Sequence, residues 1–484
     1  MLVLWLCHDP AKFRWCYPVK TSYVPRWSLG FSSLADEYTT ASLTTTGTIP
    51  EQLSGTLYLI GPGRFELGSR PVGHWLDGFA MVSSISFGPR GIKFSNRFLA
   101  TSWYRHALIE DTTPAGGFDS PIPHRSNRRS PDNTNLNIVT WMGRLEALGD
   151  MPQRVVVDAG TLATIQTTTP KQMSRSVASS PHPFFDKTTG ERFDLALVAG
   201  DPSGYDIIVT NVEGVPQRLA FISSSRLGYI HSFGVTARWI VLVEGPFTAN
   251  PRSLRSRRRP YLRNYVWDAS RGTRIFVVNR KTGALEATLS TRPLFSLHHI
   301  NAWEDGDQLV TDVAAYADPS ILDALAFDNG QIRPGDFPAP LATRLVINPA
   351  TSKVACLPLK CPPGEFWRID DRFSMRPATV LFSVGPSRTG GFVDRILRSD
   401  LTTGQYVQWS SDNCFPGAPA FVPSNENGGE GEGWLLSIVL DAAAQRSFVL
   451  ILEASTLTEI GRAWLPCTLP FGLHTLFLPG ESST

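Results

Sequence analysis

A short β-branched run that ends in a polar residue and a turn containing Thr or Gly recurs along this chain. It reads "RVVVDAGTL" from Arg154, "RIFVVNRKTG" from Arg274, "RLVINPATSK" from Arg344, "RILRSDLTTG" from Arg395 and "FVLILEASTL" from Phe448. Successive starts lie 120, 70, 51 and 53 residues apart. If the first interval spans two units, the period is roughly 50–70 residues, near the upper end for propeller blades. Each unit is a strand closing on a hairpin, and a four-stranded blade cannot bury both faces alone. Units must therefore stack on one another, and the length of the chain gives about seven to nine of them, within the propeller range. The expected fold is all-β, a β-propeller; a pair of β-sandwiches with coincidental hairpins is the alternative. The 40 Gly and 37 Pro fall between short apolar runs, as turn residues do in such a chain. Helical patterns are scarce. "DPSILDALAF" predicts one short helix with Asp318 as its N-cap. "SNENGGEGEGW" from Ser424 reads as a loop joining two strands.

Hydrophobic residues make up 42% of the chain and charged residues 18%, enough for a large core. The formal charge of +2 supplies no global field for nucleic acid. Six scattered cysteines form no CxxC pair and no dense framework, so free thiols in a reducing cytosol are expected. The opening "MLVLWLC" is apolar for seven residues and then meets His8 and Asp9. It is too short to span a bilayer and has no basic flank, so neither an anchor nor a signal peptide is expected. Residues 1–22 read as an N-terminal extension and 23–484 as a single domain, with a cytoplasmic location.

Nine histidines occur, and four stand in matched settings: His182 in "SSPHPFFDKTTGE", His231 in "LGYIHSFGVTARW", His298 in "FSLHHINAWEDGD" and His474 in "LPFGLHTLF". A lone buried imidazole is ordinarily a hydrogen-bonded core residue. Four of them in different repeat units are another matter, because the inner strands of a propeller converge on one axis. Neutral imidazole is a good ligand for iron, zinc, copper or nickel. Neighbours on a strand face opposite ways, so at most one of His298 and His299 can reach a shared interior site.

From about Tyr23 to Phe477 the chain resembles the carotenoid cleavage oxygenase family. The resemblance is carried by "GTIPEQLSGTLYLIGPGRFELG", "HWLDGFAM", "HPFFDKTTGE", "IHSFGVT", "FSLHHINAWED", "AFVPSNENGGEGEGWLLSIVLD" and "ASTLTEIGRAWLPCTLPFGLHTLF", in the family's order. It implies a seven-bladed β-propeller with a small helical cap and an Fe(2+) held by His182, His231, His298 and His474. The family's third ligand lies three residues before the Asn of "NAxE", here Asn301, which selects His298 and leaves His299 structural. Four neutral nitrogens would leave open coordination positions for O2. Family carboxylates that orient the ligand rings match Asp150 in "EALGDMP" and Glu365 in "PPGEFWRID". The third such position holds Ala418 in "PGAPAFVP", and "LIGP" has Ile60 where relatives have Asn. Losing one outer partner of this kind typically costs about 10–100-fold in metal affinity or rate. No catalytic residue beyond the metal site is implied.

Relatives cleave either carotenoids and apocarotenoids or stilbene-like phenols, the latter gripped by a Lys and a Tyr. The corresponding stretch here, "HRSNRRSPDNTNLN", has Arg129 and no Lys. The resemblance thus implies oxidative cleavage of a conjugated double bond in a carotenoid or apocarotenoid by O2, giving aldehyde or ketone products. The alternatives are a stilbenoid-cleaving oxygenase with the same iron site and a catalytically impaired propeller that binds apocarotenoids. A polyene needs an apolar tunnel, which 27 Phe and 13 Trp could line.

The segment "EGPFTANPRSLRSRRRPYLRNY" carries Arg252, Arg255, Arg257, Arg258, Arg259 and Arg263 where relatives place an apolar, membrane-dipping stretch. Arg257, Arg258 and Arg259 are expected to contact anionic headgroups peripherally; a solvated basic loop is the alternative. Few aromatics interleave, so nucleic acid is not an expected partner.

Overall fold

The computed structural model describes residues 24–122, 132–332 and 335–480. The extension read over residues 1–22, with His8, Cys7 and Cys16, lies outside them, as do His124 and Arg129.

Among the described residues, seven antiparallel sheets have four to six strands. In chain order their adjacent inner strands are Gly55–Arg64 with Phe79–Gly88, Arg144–Leu148 with Arg154–Val157, and Arg192–Val198 with Gly204–Thr210. Then come Trp239–Glu244 with Thr273–Asn279, and Gln308–Tyr316 with Leu341–Asn348. Val380–Gly385 with Arg395–Asp400, and Gly433–Asp441 with Arg446–Glu453, complete the set.

The recurrent sequence segments are inner strands of five of these sheets, flanked on both sides by a paired neighbour. Their Val, Ile and Leu side chains pack against adjoining sheets, which accounts for the apolar content. The polar ending serves the turn. Asp158, Asn279, Asn348 and Asp400 each turn a side-chain oxygen onto backbone N–H groups of the following turn, at Thr161, Thr282, Thr351 and Thr403. An Asx side chain satisfies donors that the end of the strand would otherwise leave open. The fifth segment has Glu453 in that place and keeps the backbone part of the same turn: the Leu457 N–H donates to the Glu453 carbonyl, as the Leu162 N–H does to that of Asp158, and Leu457 sits at φ +55°.

Apolar faces are buried between neighbouring sheets. Ile60 and Val82 pack with Ile138, Ala147 and Val155; Val241 and Val277 pack with Leu309 and Ile347. Val384 and Ile396 pack with Leu435 and Leu450, and the last sheet returns to the first through Leu436 and Ile451 against Leu57 and Phe79. The chain ends reinforce that return. Thr44–Gly47 pairs with Glu459–Trp464 of the last sheet, and His474–Pro479 pairs with Gly55–Arg64 of the first.

Three local expectations need correction. The short helix runs Ser320–Ala324 with Pro319, not Asp318, at the N-cap; Asp318 still accepts the Ser320 N–H at 2.9 Å from one position earlier. The basic stretch is not wholly a loop: Pro251–Ser256 is helical because Asn250 caps the Arg252 N–H and Pro251 presets the first turn. Its six arginines are not equivalent either. All six are exposed, but only Arg263 is ion-paired among the described residues, with Asp119 and, at 3.0 Å, with Asp323. Residues 424–432 do join two strands, and the Arg372 guanidinium donates to the Asn425, Glu426 and Gly428 carbonyls at 3.0–3.1 Å. Cys356, Cys361, Cys414 and Cys467 are free thiols. No helix of the described residues is long and apolar enough to cross a membrane.

Candidate metal centre

His182 follows the short strand Ala178–Ser179, His231 precedes Gly234–Val235, His298 lies within Phe295–Asp305, and His474 opens His474–Pro479. These four come from four different sheets and meet. Single ring nitrogens of His182, His231 and His298 lie within 4.8 Å of one another. The His474 ring centroid is 4.6 Å from that of His182 and 5.0 Å from that of His298. Burial holds the His182 ring well below its ordinary 6.5, helped by the His474, His231 and His298 rings and by Arg368. His474 is held down the same way, by burial first and then by His298, Arg368 and His231. The Nε2 atoms of His182 and His298 are buried with no hydrogen-bond partner. Leaving a buried polar atom unpaired costs about 1–3 kcal/mol. Convergent neutral imidazoles with open Nε2 atoms are the donor set a divalent transition metal requires.

The outer nitrogens are tied down. His231 Nδ1 is 3.2 Å from Asp150 Oδ1, and the Tyr229 hydroxyl donates to Asp150 Oδ2 at 3.1 Å. His298 Nδ1 is 2.9 Å from Glu365 Oε2. The Tyr316 hydroxyl donates to Glu365 Oε1 at 2.8 Å, and the Phe366 N–H to Oε2 at 2.7 Å. Burial pushes the Glu365 carboxyl up, but His298 and these donors outweigh it and hold it below its ordinary 4.5. His182 Nδ1 has the Asn137 side-chain amide at 3.3 Å.

His299 is not among the stacked rings. Its Nδ1 meets the Ser232 hydroxyl at 2.9 Å, and burial, followed by His298, lowers it to about 3. The pairing of Phe295–Asp305 slips between Ser296 and His299 and again between His299 and Asn301. A second irregularity lies opposite. The pairing of Glu365–Arg368 slips, and Phe366 adopts φ +52°, a conformation rare for a bulky residue. Phe366 thereby puts its ring 6.1 Å from His298 and 5.5 Å from His474 while its N–H holds Glu365.

Two cavities border the cluster. One, of about 130 Å³, touches His231, His298 and His474 and is otherwise walled largely by apolar groups including Trp75, Leu136, Leu297, Phe337, Phe366 and Phe392. The other, of about 200 Å³, touches His182, His298 and His474 and is polar; His299, Arg368 and Ala418 line it. Ile60 is fully buried and lies opposite His474 in the strand pairing. Arg257, Arg258 and Arg259 line neither cavity.

Sequence reasoning overlooked Tyr229, Tyr316, Asn137 and Arg368. Tyr229 had a signal, two residues before His231 and so on the same side of an extended chain. Arg368 lies in the strand of Glu365, three residues on, within "PPGEFWRID", whereas Tyr316 and Asn137 reach the cluster from other strands and carry no local signature.

The model of the retinal pigment epithelial membrane protein family matches residues 31–479. Among curated proteins, the mitochondrial carotenoid-cleaving dioxygenase of Mustela putorius furo is 26% identical, over 89% of this chain and 92% of that protein. The chloroplastic carotenoid cleavage dioxygenase 8 of Arabidopsis thaliana is also 26% identical, over 94% of this chain and 86% of that one. Among solved structures, a Glu-to-Asp variant of the Synechocystis apocarotenoid oxygenase superposes with a TM-score of 0.84 at 24% identity, covering 94% of this chain and 98% of that one. A cobalt-substituted form of that oxygenase gives 0.83 at 23% identity with the same coverage. At such identities the structures show a shared fold.

Proposed function

Because this chain belongs to the carotenoid cleavage oxygenase family, we propose that it is a dioxygenase that cleaves a conjugated double bond of a carotenoid or apocarotenoid. Relatives that match nearly its whole length bear the names of carotenoid-cleaving dioxygenases. The observation that carries the reading is the cluster of four adjoining imidazoles at the wall of an apolar cavity.

In this reading His182, His231, His298 and His474 hold Fe(2+), with Asp150 and Glu365 orienting His231 and His298. Bound there, Fe(2+) would supply the redox-active centre that lets O2 react with an alkene, each carbon of the cleaved bond leaving as a carbonyl. The protein's part is positional. Glu365 and Asp150 keep Nδ1 of their partner rings protonated, which turns the Nε2 lone pairs inward. Apolar walls select a hydrocarbon segment and exclude water from it. The Tyr229 and Tyr316 hydroxyls in those walls are already donated to Asp150 and Glu365. No lysine lines the cavity among the described residues, which disfavours the stilbenoid alternative. Asp150, despite its shorter side chain, still reaches its histidine, which argues against the impaired-propeller alternative.

The seven sheets are read as blades of one propeller, closed where the two chain ends join the first and last sheets, and residues 23–484 as a single domain. Arg257, Arg258 and Arg259 are assigned to peripheral contact with an anionic membrane, where guanidinium groups stay hydrated and their stems lie along the surface.

The test is product analysis by mass spectrometry on Fe(2+)-loaded protein under 18O2, with apocarotenals and resveratrol-like phenols side by side. Cleavage of the apocarotenals into labelled carbonyl products is expected. Cleavage of the phenols alone would select the stilbenoid function. Full iron occupancy without oxygen uptake on either panel would leave a binding propeller.

A further inference from the structure

Three of the four clustered rings have a side-chain partner at Nδ1: Asp150 for His231, Glu365 for His298 and Asn137 for His182. The His474 side chain has no hydrogen-bond partner among the described residues. Its ring lines the polar cavity of about 200 Å³, together with the small side chain of Ala418. The two are tied together, since the Thr475 hydroxyl donates to the Pro419 carbonyl at 3.3 Å. Arg368 bridges the same two segments. Its Nε donates to the Pro419 carbonyl at 3.4 Å and its Nη2 to the Thr475 carbonyl at 2.7 Å. No carboxylate pairs with this guanidinium among the described residues. The only carboxylate in the cavity lining is Asp371, which is 71% exposed and lies 3.9 Å from the Lys187 ammonium.

A fixed cation, an imidazole with no internal partner and a methyl group thus share one polar space. A guanidinium binds a planar oxyanion through paired, charge-assisted hydrogen bonds. The Arg368 charge has no carboxylate partner here, so an anion in this space would pair with it. Water takes about 30 Å³ per molecule in the liquid, so the cavity has room for a small anion and its hydration.

We propose that this cavity is a binding site for a small monocarboxylate-type anion, of the formate, acetate or bicarbonate class. It is held by Arg368 and accepts the Nδ1–H of His474 beside Ala418. The bound anion does for His474 what Glu365 does for His298: it fixes the tautomer and aims Nε2 into the cluster. Its effect on the metal rests on the metal-site reading above; its binding does not, because none of the anion's contacts involves a metal.

The experiment is isothermal titration of full-length protein with formate, without metal and with Fe(2+), alongside iron retention against a chelator with and without formate. Wild type is expected to bind formate saturably and one to one in both forms, and to retain iron at least threefold better with formate present. Arg368→Gln should weaken formate binding at least tenfold. Ala418→Glu should abolish it and retain iron, without formate, as well as the formate-saturated wild type. If Ala418→Glu does not fold, Ala418→Leu fills the gap with apolar volume and should also lose formate. Absence of saturable binding to the metal-free wild type overturns the proposal, and so does equal binding by all variants. Equal saturable heat from chloride overturns the carboxylate class. Formate binding confined to the Fe(2+) form means that formate ligates the metal, which also overturns it. Formate binding without metal, combined with no specific iron retention in any variant, sinks the metal-site reading and leaves the anion site standing.

Discussion

Replacing Glu365 by Gln removes one charge from beneath His298 and keeps the shape. The carboxylate accepts from three groups: His298 Nδ1, the Tyr316 hydroxyl and the Phe366 N–H. Oε2 serves both His298 and Phe366, so the amide of Gln has one favourable placement. Its oxygen faces those two donors and its NH₂ faces Tyr316, whose hydroxyl turns to accept. All three neighbours keep a partner, and the fold should survive. What is lost is charge assistance. A hydrogen bond to a charged group contributes about 1.5–3 kcal/mol and a neutral one about 1, so the His298 bond weakens by roughly 0.5–2 kcal/mol. At 1.4 kcal/mol per tenfold this is about 2–30-fold in metal affinity, overlapping the general range for outer partners of about 10–100-fold. The wild-type carboxyl, held below its ordinary 4.5, carries its charge throughout the neutral range, so the difference should persist from pH 6 to 8. Tyr316→Phe is the control. It deletes one donor to the carboxylate but leaves the charge and the His298 bond, so metal affinity should fall less than in Glu365→Gln. The assay is chelator competition for Fe(2+), with circular dichroism melting to verify the fold. Wild-type affinity in Glu365→Gln, with an unchanged melt, would refute the argument that the Glu365 charge holds His298 for the metal.

His298→Ala should lose bound iron on dialysis while His299→Ala retains it; metal analysis showing the reverse would overturn the ligand assignment. Burial lowers His74 to about 4, although its Nε2 lies 2.8 Å from the Leu322 carbonyl. The unfolded chain therefore takes up this proton near 6.5 and the native protein only near 4. Its stabilising effect is complete above pH 6.5 and declines as pH falls through that window, by at most about 1.4 kcal/mol per pH unit. His74→Gln should flatten the fall of the melting temperature between pH 6.5 and 4, and parallel curves for the two proteins would show that His74 does not titrate on unfolding. Changing Arg257, Arg258 and Arg259 to Ser should abolish co-sedimentation with anionic vesicles. Wild-type binding should itself fade as salt shortens the Debye length to about 3 Å near 1 M. Equal sedimentation of the two proteins, or none by either, would mark the segment as a solvated surface.

The all-β class was legible because inner strands must be apolar on both faces and must end on a residue that satisfies turn donors. Both demands act on consecutive residues, so "RVVVDAG" and "RIFVVNRKTG" display them directly. The four histidines were legible as a set through the motifs around them, and Asp150 and Glu365 through theirs. Other features depended on contacts between distant segments. The pairing slips around His298 and His299, and the positive φ of Phe366, arise from how neighbouring strands fit, so no single strand displays them. Arg263 looked like one of six equivalent cations until Asp119 and Asp323, far away in sequence, claimed it. Ala418 read as a missing carboxylate, yet no motif marked Arg368 as spanning the same gap, because its anchors are the backbone carbonyls of Pro419 and Thr475. The sequence by itself determined which residues are apolar, turn-forming or able to bind a metal, since these are properties of side chains and their immediate neighbours. Which of them meet, and which charges remain unpaired, was decided only by the tertiary structure, because carbonyls, ring stacking and cavities belong to no single stretch of chain.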